Sequence, residues 1–170
     1  MYYQFFSHIH FLITSKNQHG VHSPFVYSYI TQCVYLRSKM AHPKNKALSV
    51  LLKSVAYFKA QNLLVAPQTT EVQRLLQNWF PKAVFTDAPA DLIYIHKPKE
   101  VPSLMKLTQG NRVHNNTVLL INEIHKTREH LRIWRALKNS EQIQVSVDMF
   151  YCGALFLRKE QAKEHFKIRI

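Results

Sequence analysis

The architecture of this chain can be worked out from one stretch, Thr117-Val118-Leu119-Leu120-Ile121-Asn122-Glu123-Ile124-His125. Five consecutive apolar or β-branched residues predict a strand that is buried on both faces of a sheet. The run then gives way to polar residues, just before a helical pattern at residues 127–139. Open α/β sheets place their ligand sites at the carboxyl ends of such strands. The stretch therefore predicts a candidate site at Asn122, Glu123 and His125.

Two interpretations of this polar cluster are open. Its side chains could bind a metal ion or act as a catalytic base with an orienting partner. Alternatively, Asn122 and Glu123 cap the helix that follows, and His125 packs against that helix. The other histidines and the two cysteines show no spacing typical of zinc ligands, so no metal site is predicted.

Strand and helix patterns alternate from residue 62 to residue 139, which predicts βαβ units and a parallel sheet. Predicted strands lie at 62–66, 83–86 and 92–95, and predicted helices at 24–37, 47–58, 70–80, 101–107 and 127–139. A polar turn is predicted at 109–116. After residue 139, strands are predicted at 143–149, 154–157 and 166–170. The strand at 143–149 is predicted to have one solvent-exposed face.

The connection between the strands at 143–149 and 154–157 is too short for a parallel crossover. We therefore expect an antiparallel hairpin at the edge of the sheet. The predicted fold class is α/β, with a mostly parallel sheet and an antiparallel C-terminal hairpin.

The amino-terminal 46 residues are predicted to form a helical extension, and residues 47–170 an α/β domain, within a single compact unit. Apolar residues recur at helical spacing in residues 1–14, namely Tyr2, Phe5, Phe6, Ile9 and Leu12 or Ile13. We expect this helix to pack its aromatic side chains on the core; contact with a membrane surface is the alternative. Ser23 and Pro24 are typical of a helix start.

The composition favours anionic partners. The chain has 23 Lys and Arg against 10 Asp and Glu, a net charge of +13. Such a charge attracts nucleic acids, acidic membrane surfaces, and phosphorylated or carboxylated ligands. Two distant cysteines, Cys33 and Cys152, favour reduced thiols and a cytoplasmic location. The sequence shows neither a run of about 20 apolar residues nor a signal-peptide pattern.

Three motifs resemble those of a branch of S-adenosylmethionine-dependent methyltransferase-like proteins of Bacteroidetes-type bacteria. They are His19-Gly20-Val21-His22-Ser23-Pro24-Phe25-Val26, residues 117–126, and residues 145–150 together with 158–166. They cover about half of the chain. The resemblance implies a Rossmann-like sandwich of the class I methyltransferase type, with S-adenosylmethionine as the cofactor.

The chain departs from the family pattern where the cofactor would bind. A Glu-Leu-Gly-Thr-Ser type loop is replaced by Val65-Ala66-Pro67-Gln68-Thr69, which has no glycine to let the cofactor approach the backbone. An Asp-Gly-Asn-His type turn is replaced by His96-Lys97-Pro98-Lys99, and paired aspartates by Asn122 and Glu123. The segment 67–91 is one strand–helix unit shorter than in the family, so the fold is truncated.

The resemblance implies roles for several further residues. Cofactor contacts would fall to Ala66, Gln68, Thr69, Asp87 and His96, with Asp87 as the partner of the ribose hydroxyls. The rim of the substrate cleft would include His19, His22 and Ser23; from the residues alone, a structural role in starting a helix is favoured.

Three arginines on the predicted helix at 127–139, Arg128, Arg132 and Arg135, share one helical face because they lie at i, i+4 and i+7. This face is either simply solvated or a binding surface for anions.

We therefore predict a methyltransferase-like protein with weak or lost binding of S-adenosylmethionine, which acts without catalysis by binding a small molecule or a protein. Two alternatives are open. One is an active methyltransferase with an atypical cofactor loop, and the other is a basic module that binds nucleic acid or another anion.

Overall fold

The computed structural model describes residues 2–39, 45–86, 89–100, 106 and 110–170. The helices are α1 (Tyr2–Thr14), α2 (Pro24–Tyr29, continued by a π-helix at Ile30–Val34), α3 (Lys46–Tyr57), α4 (Thr70–Trp79) and α5 (Arg128–Lys138). Short 3-10 helices lie at Gln18–Gly20, Pro98–Glu100 and Gly110–Arg112. The strands are β1 (Asn62–Ala66), β2 (Val84–Phe85), β3 (Ala90–Ile95), β4 (Val113–Asn122), β5 (Val145–Asp148), β6 (Cys152–Phe156) and β7 (Glu164–Lys167).

The described strands form one sheet in the order β2-β1-β3-β4-β6-β5-β7. Neighbouring strands from β2 to β4 are parallel, β6 is antiparallel to both β4 and β5, and β7 is parallel to β5. The predicted α/β class, the mostly parallel sheet and the antiparallel hairpin are confirmed. The prediction that this hairpin forms the sheet edge is wrong, because β6 lies between β4 and β5, with β7 outside β5.

The strand β4 is covered on both faces, as its sequence predicts. Val118 and Leu120 belong to a core cluster that β4 shares with α2, α3 and α4. Leu119 and Ile121 belong to a second cluster, which includes Trp134 of α5. Each face thus receives alternate side chains of the strand, and its carboxyl end is held between two helical layers.

Two predictions about strands are wrong. Strand β4 begins at Val113, so the predicted polar turn at 109–116 overlaps its first residues. Strand β5 is buried along its whole length and has no solvent-exposed face. It lies between β6 and β7, and Ser146 finds a partner on β7, where Nδ1 of His165 is 2.8 Å from its Oγ. The predicted helix at 101–107 lies outside the described residues, apart from residue 106.

The helix starts agree well with the sequence. The Ser23 hydroxyl accepts a hydrogen bond from the backbone N–H of Val26, and the Thr127 hydroxyl accepts one from His130, so both side chains cap helices as Ser and Thr commonly do. Helix α4 begins at Thr70, but the residue at its cap position is Thr69.

Helix α1 has the opposite orientation to the one predicted. Its aromatic and aliphatic side chains Tyr2, Phe5, Phe6, Ile9, Leu12 and Ile13 are exposed. Phe11 is buried instead, against the rings of His125 and Phe150. The prediction that α1 packs these apolar side chains on the core is therefore wrong.

Gly153 is a packing constraint on the antiparallel hairpin. A Cβ atom at Gly153 would lie 2.4 Å from the ring of Trp134, which is 2% exposed. The backbone or the buried ring must shift to admit this atom, and overpacking of this kind costs about 1–3 kcal/mol.

We expect Gly153→Ala to lower the free energy of unfolding by about 2 kcal/mol, measured by urea denaturation. The matched control is Gly110→Ala, where a Cβ would meet nothing within 4 Å but φ is +66°. That control should cost about 1 kcal/mol from backbone strain alone. If the Gly153→Ala variant is as stable as the parent protein, this account of the Trp134 packing is contradicted.

Candidate functional site

The carboxyl ends of three parallel strands are joined by hydrogen bonds. The backbone N–H of His96, just after β3, donates to the carbonyl of Ala66 at the end of β1 (2.9 Å). The side-chain Nδ2 of Asn122, at the end of β4, donates to the carbonyl of His96 (3.1 Å). Three residues of the predicted site therefore come together at one edge of the sheet. Asn122 is buried, which fixes the position of its amide.

A cleft lies at the end of β4 and consists of two adjoining cavities that share Asn122, Glu123 and Lys126. One cavity, of about 410 Å³, is also lined by Gln4, Asn45, Lys46, Ala47, His125, Phe150 and Tyr151. The other, of about 400 Å³, is also lined by His96, Lys97, Lys99, Glu100, Thr127 and His130. We call these two cavities the β4 cleft. Each lies within the range of about 300–1,000 Å³ that is usual for small-molecule sites.

Two residues with positive φ line the β4 cleft. Glu123 has φ of +55° and Phe150 has φ of +67°, a region that residues with a Cβ rarely adopt. The backbone N–H of Glu123 donates to the carbonyl of Tyr151 (2.7 Å) and so holds the two turns together. Strain of this kind is concentrated at functional sites.

We expect Glu123→Gly to be more stable than Glu123→Ala by about 1 kcal/mol, because glycine adopts positive φ without a steric penalty. Both variants lose the same carboxylate, so the pair isolates the backbone term. Urea denaturation of the two variants measures the difference. Equal stabilities would show that the backbone at Glu123 is unstrained.

The interpretation in which Asn122 and Glu123 cap α5 is wrong. The cap is Thr127, and Glu123 contributes only its carbonyl, which accepts a hydrogen bond from Nδ1 of His130 (2.8 Å). His125 does not rest on α5 through a polar contact either. Its Nε2 lies 2.8 Å from Oδ2 of Asp148, and both side chains are buried.

The His125 ring links two strands to the amino-terminal helix. A carboxylate only accepts hydrogen bonds, so Nε2 of His125 donates to Asp148. The other ring nitrogen, Nδ1, lies 3.1 Å from Oγ of Ser7 in α1 and accepts from that hydroxyl when the ring is neutral. The ring also stacks on Phe150, at 4.9 Å between centroids and an angle of 15°.

The hydrogen-bonded series Ser7–His125–Asp148 has the connectivity of a nucleophile, a base and an orienting carboxylate. Its position argues for a structural role. Ser7 is in the middle of a helix and is not among the residues that line the β4 cleft, so a substrate in the cleft would not reach its hydroxyl. These hydrogen bonds hold α1 against the sheet, and His125 also lines the β4 cleft.

The sequence analysis missed Asp148 and Ser7. Asp148 could have been predicted from the sequence, because it is an acidic residue at the end of a predicted strand, next to the turn at 150–153. No sequence signal marks Ser7, since only the three-dimensional packing of α1 brings it to His125.

We expect His125→Ala to lower the free energy of unfolding by about 2–3 kcal/mol, because it removes a hydrogen bond to the buried Asp148 carboxylate. The amide protons of α1 should then exchange faster. The control Ser7→Ala removes one hydrogen bond and should cost about 1 kcal/mol. Unchanged exchange in α1 of His125→Ala would contradict the role of this ring.

Two polar groups at the end of β3 have no partner among the described residues. They are the Tyr94 hydroxyl and Nδ1 of His96, and both atoms are buried. Burial, reinforced by Cys152 and Glu123, raises the pKa of Tyr94, so its hydroxyl stays protonated and able to donate. Buried polar atoms are rarely left unpaired in proteins unless a ligand or water meets them. His96 itself lines the β4 cleft.

The cations around the β4 cleft are partly neutralised. Lys126 pairs with Glu123 (2.9 Å), Lys97 pairs with Glu100 (3.0 Å), and Lys99 pairs with Glu129. These pairs are well exposed and contribute little to stability. Lys46, which lies 4.7 Å over the Tyr151 ring, adds a further positive charge to the lining of the cleft.

The predicted cofactor residues near β1 line much less space. Gln68 borders a cavity of about 60 Å³, together with residues of β1 and Phe85. Thr69 is the cap residue of α4, and Ala66 is half-buried at the strand end. Asp87, the predicted ribose partner, lies outside the described residues. The structure thus brings Ala66 and His96 together, and it does not bring Gln68 or Thr69 into the β4 cleft.

The remaining predicted residues lie away from the β4 cleft. Ser23 is buried and caps α2. His22 lines a separate cavity of about 430 Å³ that also includes Asp148. His19 is exposed in the 3-10 helix before α2. The three arginines, Arg128, Arg132 and Arg135, are all exposed on α5, as their spacing predicts.

Within the described ranges, no group of three His, Cys, Asp or Glu side chains is placed to hold a metal ion. The thiols of Cys33 and Cys152 are both free and buried, and burial raises the pKa of Cys33 to about 12. Among the helices that the structure describes, none is long and apolar enough to cross a membrane. Comparisons of the chain with protein-family models, with curated proteins and with solved structures find no match.

Proposed function

We propose that this protein is a methyltransferase-like protein that has lost useful binding of S-adenosylmethionine and acts, without catalysis, as a binding protein for a small anionic molecule in the β4 cleft. The carrying observation is the distribution of space along the sheet edge. A ligand-sized cleft is present at β4, whereas the cavity that the described residues beside β1 line measures about 60 Å³.

The strand order supports the methyltransferase-like part of this proposal. Class I methyltransferases finish a parallel sheet with an antiparallel hairpin, and here β6 runs antiparallel between β4 and β5. On the other side of β3 there are only β1 and β2 among the described strands. This agrees with the loss of one strand–helix unit from the cofactor half.

The chemistry beside β1 supports the loss of the cofactor. Pro67 has no backbone N–H to offer and cannot take the place of the glycine that lets a cofactor approach closely. The cations Lys97 and Lys99 line one cavity of the β4 cleft, each paired with a glutamate, so this end of the sheet offers no excess negative charge to a positive sulfonium group.

The lining of the β4 cleft supports an anionic ligand. Lys46 and Lys126 offer positive charge, and polar groups come from Asn122 and from His96, whose Nδ1 has no hydrogen-bond partner among the described residues. Glu123 already forms an ion pair with Lys126, so a ligand carboxylate or phosphate would compete with Glu123 for this cation.

Isothermal titration calorimetry with S-adenosylmethionine and with S-adenosylhomocysteine tests the first half of the proposal. We expect no saturable heat at micromolar ligand. Saturable binding in that range, weakened by Asp87→Ala, would instead establish the alternative of an active methyltransferase with an atypical cofactor loop.

Thermal unfolding in the presence of citrate and of inorganic phosphate tests the second half. We expect the midpoint to rise with ligand concentration, because a ligand that binds only the folded state stabilises it. Lys126→Gln should reduce this rise, and Lys159→Gln, an exposed lysine at the opposite end of the sheet, should leave it unchanged. Equal responses in both variants would contradict a site at the β4 cleft.

A second candidate function, binding of nucleic acid, is favoured by the exposed arginines of α5. Glu129 lies on the same helix. Its pKa is lowered mainly by the hydrogen bond from Lys99 and further by Arg132, so its side chain is negatively charged. A negative charge therefore interrupts the surface formed by the arginines. Binding through the arginines should fall steeply with salt. It should also vanish when Arg128, Arg132 and Arg135 are all replaced by alanine.

A further inference from the structure

The outer face of α1 is a continuous apolar surface. Tyr2, Phe5, Phe6, Ile9, Leu12 and Ile13 all fall within about 120° of the helix circumference, because successive helical residues are about 100° apart. Tyr2 is 83% exposed, Phe6 64% and Ile13 77%. Other exposed large apolar side chains of the described residues, such as Leu36 and Trp79, lie singly on other elements. We call this surface the α1 apolar face.

The orientation of α1 is fixed by contacts on the opposite side. Phe11 is 3% exposed and packs on the rings of His125 and Phe150. His8 packs on Phe150 at 4.4 Å between ring centroids, and Ser7 is hydrogen-bonded to His125. Turning the helix to bury the α1 apolar face would break these contacts. The apolar face is therefore presented outward by the fold itself.

The first 70 residues of the sequence, which include α1, contain no acidic residue. The first acidic residue in the sequence is Glu71. The residues before it include these cations: Lys16, Arg37, Lys39, Lys44, Lys46, Lys53 and Lys59. A segment of this composition attracts anions.

Cations also flank α1 at both ends. Arg128 lies 5.8 Å over the ring of Tyr3 at the start of the helix. At the other end, Nζ of Lys167 donates to the hydroxyl of Thr14 (3.2 Å), and Lys16 is exposed directly after the helix. The α1 apolar face thus lies between two cationic ends.

We propose that α1 docks on the surface of an anionic lipid bilayer, with its apolar face inserted between the lipid headgroups and its flanking cations against them. Apolar and aromatic side chains on one helical face, with basic residues beside them, are what interfacial binding requires. The 13 residues of α1 measure about 20 Å, too short to cross a hydrocarbon core of about 30 Å. The helix therefore lies in the plane of the membrane surface.

Charge favours lipid over a second copy of the chain as the occupant of this face. Two copies packed through α1 would bring Lys16, Lys167 and Arg128 of one chain towards the same cations of the other, and like charges across an interface are unfavourable. An anionic bilayer neutralises the same cations. This proposal is independent of the ligand proposed for the β4 cleft.

Flotation of the full chain with lipid vesicles tests the proposal. We expect binding to vesicles of equimolar phosphatidylcholine and phosphatidylglycerol, much weaker binding to pure phosphatidylcholine, and a decrease as salt rises. The double variant Phe5→Ser/Phe6→Ser should lower the partition coefficient at least about tenfold, because two inserted aromatic rings are lost. Both positions are exposed, so the unfolding midpoint should stay the same.

The matched control is Tyr27→Ser/Leu36→Ser, which removes two exposed apolar side chains outside α1 and should leave vesicle binding unchanged. A Phe6→Trp variant adds a direct readout, since insertion should shift its fluorescence to shorter wavelength on addition of the acidic vesicles. Three outcomes would overturn the proposal. They are absence of binding to acidic vesicles, equal loss in both double variants, and a dimer in sedimentation that Phe5→Ser/Phe6→Ser dissociates.

Discussion

The buried hydrogen bond between His125 and Asp148 joins parts of the fold that are not neighbours. Asp148 ends β5 and His125 follows β4, yet β6 lies between these two strands. The bond therefore spans the end of β6. Asp148 also accepts a hydrogen bond from the backbone N–H of Phe150 (3.0 Å). Phe150 has a positive φ, and its ring stacks on His125. With this turn fixed, the stacked rings form the surface on which α1 packs.

Double-sided burial is what made the fold predictable from sequence. The run Thr117–Ile121 is apolar because it meets a helical layer on each face, and this alone predicts a central parallel strand. The same reasoning failed at β5, where Ser146 and Asp148 suggested a solvent-exposed face. Their partners, His165 and His125, come from distant parts of the chain and cannot be inferred from local periodicity. The predicted orientation of helix α1 was wrong for a related reason. Its sequence pattern shows that one face is apolar, but it does not show which face contacts the core.

The candidate site was predicted in part. Polar residues after a buried strand correctly indicated that Asn122, Glu123 and His125 lie together at the sheet edge. The cleft they border also depends on Lys46 and Tyr151, which no motif marks and which only the packing of α3 and the β5–β6 turn brings there. The positive φ of Glu123 could not be predicted from the sequence either, because glutamate is not a residue type that favours positive φ.

Along the sheet edge, the space for a ligand differs between strands. The cavity that the described residues beside β1 line is small, whereas the β4 cleft is of ligand size. The β4 cleft is therefore the ligand site that we propose. The most direct test is a titration of the isotope-labelled protein with S-adenosylhomocysteine and with citrate, followed by the backbone amide signals in nuclear magnetic resonance. Our account predicts saturable shifts with citrate at Asn122, Glu123 and Lys126, and none with S-adenosylhomocysteine. Saturable shifts with S-adenosylhomocysteine at Ala66, Gln68 and Thr69 would contradict it.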